Sequence, residues 1–355
     1  MKNDEINNYK LLVEVCKEDL LYYPKLTKKR LITKTIESIK GKKNIFSKID
    51  RFSWPNSLLA IGLLEDYKKR KTQDTKSLVE KYVSNWKKQG RKIEFVDHLL
   101  VGFLMIELDA INNSKFYKAD LEYLISILAK FEMDKLGSFS YRNNGEYIIL
   151  ADMIGMVCPF LAKYSEYSGD EKFCKIANKQ IINYFNNGFE KKSFLPYHGY
   201  RIETQEKLGI VGWGRAVGWI LFGMSECLIS SDKLHLDTDI LLQLYKNFLD
   251  SLFCYQKNDG SFSWNLLAPE GPSDSSATSL ILMSSLKVQE FYNKSSMFTY
   301  KHEIDLGAKY LNSCIENGNV MNCSSECLGL GLYPQKFNSY PWSNGPTLTF
   351  FSICN

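Results

Sequence analysis

The chain has 355 residues, of which 45% are hydrophobic and 24% are charged. This balance supports a folded core and excludes disorder as the overall state. The net charge of +5, from 45 basic and 40 acidic residues, is smaller and less clustered than a nucleic-acid-binding protein of this size would carry, so we expect no nucleic-acid partner.

The amino-terminal residues show no apolar segment of the length that a signal peptide needs. The longest apolar stretches, 99–106 and 217–224, are too short to span a bilayer. These observations predict a soluble cytoplasmic protein without a membrane partner. Sequence alone does not indicate the oligomeric state.

Apolar residues recur with helical spacing along most of the chain. The first such run, 54–69, has a broad apolar face and ends in charged residues. Similar runs follow at 98–110, 119–131, 148–167, 173–185, 217–229, 240–253 and 277–291. Long strands with an alternating pattern are not evident, and no linker rich in Pro, Gly or Ser divides the chain. The sequence therefore predicts an all-α protein of ten to twelve helices, folded as a single domain over residues 1–355.

A short aromatic loop occurs twice between predicted helices. The segment 137–141 reads Gly-Ser-Phe-Ser-Tyr, and 260–264 reads Gly-Ser-Phe-Ser-Trp, with a looser copy at 193–197. Helical hairpins joined by such loops suggest a closed ring, an (α/α)6 barrel. The loop tips would then gather at one mouth of the ring, where aromatic faces could stack on a sugar.

Cysteine and histidine usage argues against a disulfide framework and a metal centre. The nine cysteines are scattered, without a Cys-x-x-Cys pair, and several lie in apolar helical stretches. Such usage fits reduced, buried thiols. The four histidines are also scattered and do not pair at ligand spacing. We therefore expect no metal and no other cofactor.

The densest group of binding-type side chains lies between residues 197 and 219. Tyr-His-Gly-Tyr at 197–200 is followed by Gly-Trp-Gly-Arg-Ala-Val-Gly-Trp at 212–219. Arginine offers a planar fork for a carboxylate, and tryptophan offers a stacking face for a sugar ring. The alternative from residue types alone is a helix start whose tryptophans are core and whose arginine pairs with an acid.

These segments resemble the unsaturated glucuronyl and rhamnogalacturonyl hydrolases, glycoside hydrolase families 88 and 105. In those families a His-Gly-aromatic segment precedes a Trp-x-Arg-Gly-Asn-Gly-Trp motif. Here the Asn is replaced by Val217 and the first Gly by Ala216. A branch associated with surface-polysaccharide biosynthesis carries a similarly altered motif. Further segments match in order, and the resemblance covers about residues 50 to 350: 95–102, 151–162, 259–264, 275–279 and 342–346.

The resemblance implies the fold and the roles of particular residues. Members of these families act on oligosaccharides that end in a 4,5-unsaturated uronic acid, and they hydrate its enol ether. Asp152 would protonate C4 and help water add at C5, and Asp97 would lie in the same pocket. His198 and Arg215 would hold the uronate carboxylate. The residues expected to contact the sugar by stacking are Trp213, Trp219, Trp264 and Trp342.

Several alternatives remain open at this level. Asp97 could instead cap a helix, and Asp274 reads as a helix cap. The protein could act on a saturated glycan, with Asp97 and Asp152 as an acid–base pair. It could also be a catalytically silent glycan-binding or assembly protein. The loss of Asn at Val217 favours the last two, and it could instead adapt the site to a sugar with an apolar substituent.

Overall fold

The computed structural model describes residues 3–21, 54–91, 93, 95–292 and 300–354. Residues 50–53, the first of the segment predicted to resemble the family, lie outside it. Twelve α-helices occupy the described part: α1 Asn3–Leu21, α2 Trp54–Arg70, α3 Gln73–Lys88, α4 Leu100–Asn112, α5 Lys118–Leu128, α6 Ala151–Ser168, α7 Lys172–Gly188, α8 Gly214–Lys233, α9 Asp239–Phe253, α10 Ser275–Phe291, α11 Lys301–Ser313 and α12 Pro341–Cys354. None of these helices is both long and apolar enough to cross a membrane.

The even-numbered helices form a closed inner ring. Each packs against the next, from α2 through α4, α6, α8 and α10 to α12, and α12 returns to α2. The odd-numbered helices pack around the outside of this ring. This arrangement confirms the predicted (α/α)6 barrel.

Inner and outer helices differ in their burial pattern, and this difference explains why each helix lies in the inner ring or in the outer layer. Inner helix α8 is buried at every position from Gly214 to Ser231. Outer helix α9 buries only one stripe, with the spacing of an amphipathic helix: Leu241, Tyr245, Phe248, Leu249 and Leu252. A helix that is apolar all round must be enclosed, whereas an amphipathic helix can cover the ring and face water.

Helices α6 and α8 approach each other closely at a glycine. A Cβ atom on Gly155 would lie 2.9 Å from both Cα and Cβ of Trp219. Real Cβ atoms essentially never come this close, so only glycine permits the contact. This contact fixes the position of α8, whose first turn carries Arg215, relative to α6, whose first turn carries Asp152.

Short strands supplement the helices, and the sequence analysis did not predict them. Strands β1 Ile149–Leu150, β2 Tyr197–Arg201 and β3 Glu206–Val211 form an antiparallel sheet in the order β1-β2-β3. Two two-stranded ladders pair β4 Ile315–Glu316 with β5 Asn319–Val320, and β6 Cys323–Ser324 with β7 Phe337–Asn338. The three-stranded sheet links the start of α6 to the segment that carries His198.

All nine cysteines are free thiols, and six of them are buried. The buried thiols lie within or beside the helical core, for example Cys158 in α6 and Cys227 in α8. This agrees with the prediction of reduced thiols rather than a disulfide framework.

A network of ion pairs joins inner helices toward their carboxyl ends. Glu107 of α4 contacts Lys68 of α2 at 2.5 Å and Lys163 of α6 at 3.9 Å. Glu226 of α8 contacts Lys163 at 3.7 Å and Lys287 of α10 at 2.6 Å. This chain of contacts links five of the six inner helices.

Candidate active site

The candidate residues lie at the amino-terminal ends of the inner helices. Asp97 lies in a 3-10 turn, Val96–Leu99, directly before α4. Asp152 and Arg215 are the second residues of α6 and α8, and Trp342 is the second residue of α12. Asp274 caps α10, because its side chain accepts a hydrogen bond from the Ser276 amide, as predicted. The closed ring therefore brings together segments that are far apart in the sequence.

The structure pairs Asp152 with His198. Leu150 in β1 lies opposite Gly199 in β2, so the sheet brings the start of α6 beside His198. His198 Nε2 lies 3.0 Å from Asp152 Oδ2. The Asp152 side chain keeps 17% of its surface exposed, compared with 4% for His198. The Asp152 carboxyl group is therefore accessible to a ligand, whereas the imidazole that is hydrogen-bonded to it is enclosed.

The carboxylate holds a proton on the imidazole. Burial alone would lower the pKa of His198, but the charge and hydrogen bond of Asp152 outweigh burial and raise it to about 9. At neutral pH both ring nitrogens therefore carry hydrogen. Nε2–H donates to Asp152, and Nδ1–H donates to the Tyr333 hydroxyl oxygen at 2.7 Å. The pair as a whole holds one exchangeable proton.

Asp97 is joined to the site through Tyr141. The Tyr141 hydroxyl donates to Asp97 Oδ2 at 3.2 Å. Burial raises the pKa of Tyr141 well above its usual value, and the charges of Asp97 and Asp152 raise it further. The Tyr141 phenol therefore interacts electrostatically with both carboxylates and stays protonated. Tyr141 thus lies within electrostatic range of Asp97 and Asp152, and a shared substrate pocket for the two acids stays a prediction.

Arg215 is almost fully buried and its guanidinium holds a neighbouring chain segment. Nη1 donates to the carbonyl and hydroxyl oxygens of Ser324 at 2.9 and 3.1 Å, and Nη2 donates to the carbonyl of Ser325 at 2.9 Å. Its carbon Cζ lies 4.7 Å from the ring centre of Trp213 and 5.5 Å from that of Trp342. The arginine is thus held between two tryptophans.

Ser324 connects this arginine to a buried carboxylate. The Ser324 hydroxyl donates to Asp274 Oδ2 at 2.6 Å, and the Trp342 indole N–H donates to the Ser324 carbonyl at 3.0 Å. The charges of Arg215 and Asp274 are therefore bridged by a serine. This is close to the alternative reading of the motif, in which the arginine pairs with an acid.

The predicted stacking tryptophans differ in accessibility. Trp213, Trp219 and Trp342 are buried, and Trp219 has no exposed surface. Trp264 is partly exposed and its ring centre lies 6.0 Å from that of Tyr333. Trp219 therefore has no face that could stack on a sugar, contrary to the expectation, because it is enclosed in the barrel core. A stacking contact stays a prediction for Trp213, Trp264 and Trp342, and the exposed face of Trp264 is the best placed of them.

The structure brings three further aromatic residues to this region that the sequence analysis did not name as candidates. Tyr141 ends the first copy of the repeated loop, so that repeat was the signal that could have identified it. Trp54 is partly exposed and packs against Trp219 and Trp342, with ring centres 5.4 and 5.2 Å away. Tyr333 belongs to no recognised motif, and only the fold brings it to His198.

Val217 is completely buried, so it has no surface that could face a sugar substituent. Its position on inner helix α8 makes it part of the barrel core. The structure therefore favours packing as the role of this residue.

Comparison with known proteins gives a family match over nearly the whole chain. A model of Glycosyl Hydrolase Family 88 matches residues 27–354. The unsaturated rhamnogalacturonyl hydrolase YesR of Bacillus subtilis is 22% identical over 316 residues, which cover 85% of this chain and 89% of that protein.

Solved structures show the same fold at low identity. A possible member of family GH105 from Salmonella enterica has a TM-score of 0.82 at 15% identity, covering 98% of this chain and 93% of that chain. The unsaturated glucuronyl hydrolase of Bacillus sp. GL1 has a TM-score of 0.70 at 14% identity, covering 96% and 95%. With the family model spanning almost the entire sequence, this chain belongs to Glycosyl Hydrolase Family 88, as its motifs predicted.

Proposed function

We propose that the protein hydrolyses oligosaccharides that end in a 4,5-unsaturated uronic acid. The observation that supports this most is the contact of a partly exposed Asp152 carboxyl group with a buried, protonated His198. Enol-ether hydration needs one proton donor that can reach carbon, and this pair supplies one. The names of the glucuronyl and rhamnogalacturonyl hydrolases among its relatives point to the same substrate class.

The proton accounting of the reaction follows from the pair. The Nε2 proton of His198 moves to the Asp152 carboxylate, and the carboxyl group so formed delivers that proton to C4 of the enol ether. Water adds at C5 and returns its proton to the Asp152 carboxylate and thence to His198. The hemiketal formed at C5 then opens and releases the remaining sugar. This reaction differs from direct displacement by two carboxylates at the glycosidic carbon.

An anionic substrate fits the electrostatics of this mouth. The amino-terminal ends of the inner helices carry partial positive charge, and the imidazolium of His198 adds to it. The Arg215 guanidinium contributes its positive charge, although its Nη groups already bind Ser324 and Ser325. We therefore propose that the uronate carboxylate lies near the starts of α6 and α8.

The test is turnover by Asp152→Asn of unsaturated di- and oligosaccharides made by several polysaccharide lyases. Loss of the ultraviolet absorbance of the conjugated double bond reports the reaction. The variant should fold normally, since Asn keeps the shape, and should lose about 10²–10⁴-fold in kcat. Asp170→Asn, at a partly exposed position before α7, is the control and should keep full activity. A folded Asp152→Asn protein with near-normal turnover would contradict the assignment.

A second candidate function is hydrolysis of a saturated glycan. It is favoured by the position of Tyr141, whose pKa is raised by the charges of both Asp97 and Asp152. The two carboxylates therefore lie near the same side chain, as an acid–base pair would require. In that case Asp97→Asn and Asp152→Asn should abolish turnover of a saturated oligosaccharide equally, and the unsaturated panel should stay uncleaved. Binding of glycans without turnover of either class would instead support the silent glycan-binding alternative.

A further inference from the structure

The loop 325–336 reaches from the far part of the chain to the catalytic pair. Its base is closed by the β6–β7 ladder and by the Ser325 amide, which donates to the Lys336 carbonyl at 2.8 Å. From this loop the Tyr333 hydroxyl reaches His198 Nδ1 at 2.7 Å. We propose that Tyr333 is a positioning residue that holds the His198 ring in the orientation required for proton transfer with Asp152. This inference rests on the proposed function of the Asp152–His198 pair.

The geometry fixes the imidazole from two sides. Nε2 contacts Asp152 and Nδ1 contacts Tyr333, so a ring flip would lose both hydrogen bonds. The His198 ring also packs against Trp213 and Tyr333, with ring centres 4.5 and 5.6 Å away. The ring therefore has one orientation that satisfies both nitrogens.

The protonation states make Tyr333 an acceptor. The imidazolium donates from both nitrogens, and burial raises the pKa of Tyr333, so its hydroxyl keeps its proton. The tyrosine oxygen accepts from Nδ1–H and from the Ile210 amide at 3.4 Å. An acceptor at Nδ1 stabilises the charged ring and leaves Nε2–H directed at Asp152.

Two other ionisable groups lie beside His198. The Cys327 thiol, on the same loop, also acts on the ring and favours its protonated form. On the α7 side, the Tyr184 hydroxyl donates to the main-chain carbonyl of His198 at 2.9 Å. Neither contact opposes the role of Tyr333, because the thiol acts in the same direction and Tyr184 bonds the backbone.

The neighbouring backbone makes room for the tyrosine. Gly209 in β3 has a φ of +74°, and a Cβ atom there would lie 2.5 Å from the Tyr333 hydroxyl and 2.7 Å from His198 Cβ. A side chain at this position would push the two groups apart. Glycine therefore permits the close approach of strand, loop and histidine.

The test compares Tyr333→Phe with the unsubstituted protein. The change removes the hydroxyl and keeps the ring, so kcat/KM should fall roughly 10- to 100-fold, as expected for a lost hydrogen bond to a charged group, mostly through kcat. The alkaline limb of the kcat/KM profile should move to lower pH, because the imidazolium loses an acceptor. Histidine-selective NMR should show the same lower titration midpoint for His198, assigned by comparison with His198→Gln.

Two further variants sharpen the result. Tyr123→Phe removes a tyrosine hydroxyl that bonds the Arg91 carbonyl at 3.3 Å on the outer layer, and it should change neither readout. Gly209→Ala displaces the Tyr333 hydroxyl by a different route and should reproduce the Tyr333→Phe signature.

The NMR titration of His198 does not require a known substrate. If Tyr333→Phe leaves both the His198 titration and the kcat/KM profile unchanged, the proposal is wrong. If the native protein cleaves no unsaturated substrate while the His198 titration still shifts, the proposed function fails and the positioning contact stands.

Discussion

At the scale of single residues, the site depends on one buried imidazole and one partly exposed carboxyl group. Each sets the state of the other, because the Asp152 charge keeps His198 protonated and His198 orients the carboxyl group. The pair thus stores a proton at neutral pH without requiring a carboxylic acid that stays protonated by itself. Because the two groups are coupled, the proton that they exchange belongs to the pair rather than to either residue alone.

We expect Asp152→Asn to lower the pKa of His198 clearly below its native value of about 9. The carboxylate is the largest of the influences that raise this pKa, Cys327 adds to it, and burial, which lowers the pKa, would remain. Histidine-selective NMR across the pH range checks this, with the native protein measured under the same conditions as the control. A His198 midpoint that stays near 9 would contradict the proposed pair.

The same raised pKa predicts a pH limit for the native enzyme. His198 is protonated below about pH 9 and loses its proton above it, so kcat/KM should be maintained through neutral pH and fall as the pH rises through about 9. A kcat/KM profile that already falls near pH 6.5 would show that the free enzyme does not hold this proton.

At the scale of elements, the short strands and the loop 325–336 complete what the helices begin. Sequence reasoning identified Asp152, His198 and Arg215 because they lie in recognisable motifs. It did not reveal the Asp152–His198 contact, which depends on the β1–β2 register. It missed Tyr333, because that loop carries no motif, and it did not predict the partners of Arg215, which lie 109 residues away. Main-chain acceptors leave no signature in a sequence.

Arg215→Lys tests how the arginine holds this loop. Lysine keeps the charge but cannot bond Ser324 and Ser325 together with a planar fork. We expect the free energy of unfolding to fall by about 2 kcal/mol, the value of a hydrogen bond to a charged group. Activity should fall as well, because the segment that carries Tyr333 loses its attachment.

Chemical unfolding and kcat measure the two effects of Arg215→Lys. Arg201→Lys is the control, since Arg201 pairs with the exposed Glu206 on β2 and β3, and it should change stability by less than about 1 kcal/mol. If Arg215→Lys weakens only the binding of uronate over neutral oligosaccharides and leaves stability unchanged, Arg215 reads the carboxylate instead of holding the loop.

At the scale of the whole molecule, the two ends of the barrel carry different groups of polar residues. The amino-terminal ends of the inner helices carry the candidate site, and the ion-pair network lies toward their carboxyl ends. The hydrophobic periodicity predicted the helices, and the repeated aromatic loops between them suggested the ring, because successive hairpins joined in the same way tend to close on themselves. The network was not predictable, because charged residues in apolar helices show no partner until the ring closes.

The network predicts how the barrel responds to acid. Burial alone would raise the pKa of Glu107, but Lys68 and Lys163 outweigh it and lower the value from 4.5 to about 2. Because the folded pKa is depressed, this stabilisation is complete above the unfolded pKa and is lost as the pH falls through about 4.5 toward about 2. Glu107→Gln should therefore lower the free energy of unfolding at neutral pH by about 2 kcal/mol, because Lys68 and Lys163 lose a charged partner and keep only their other carboxylates, Glu65 for Lys68 and Glu166 and Glu226 for Lys163. It should also flatten the loss of stability in acid.

Urea unfolding at neutral pH and near pH 3 measures both effects of Glu107→Gln. Glu171→Gln is the control, since the pair of Glu171 with Lys175 is exposed and should contribute less than about 0.5 kcal/mol. Equal stability losses for the two variants, or an unchanged acid dependence in Glu107→Gln, would show that the ring is closed by its apolar contacts alone.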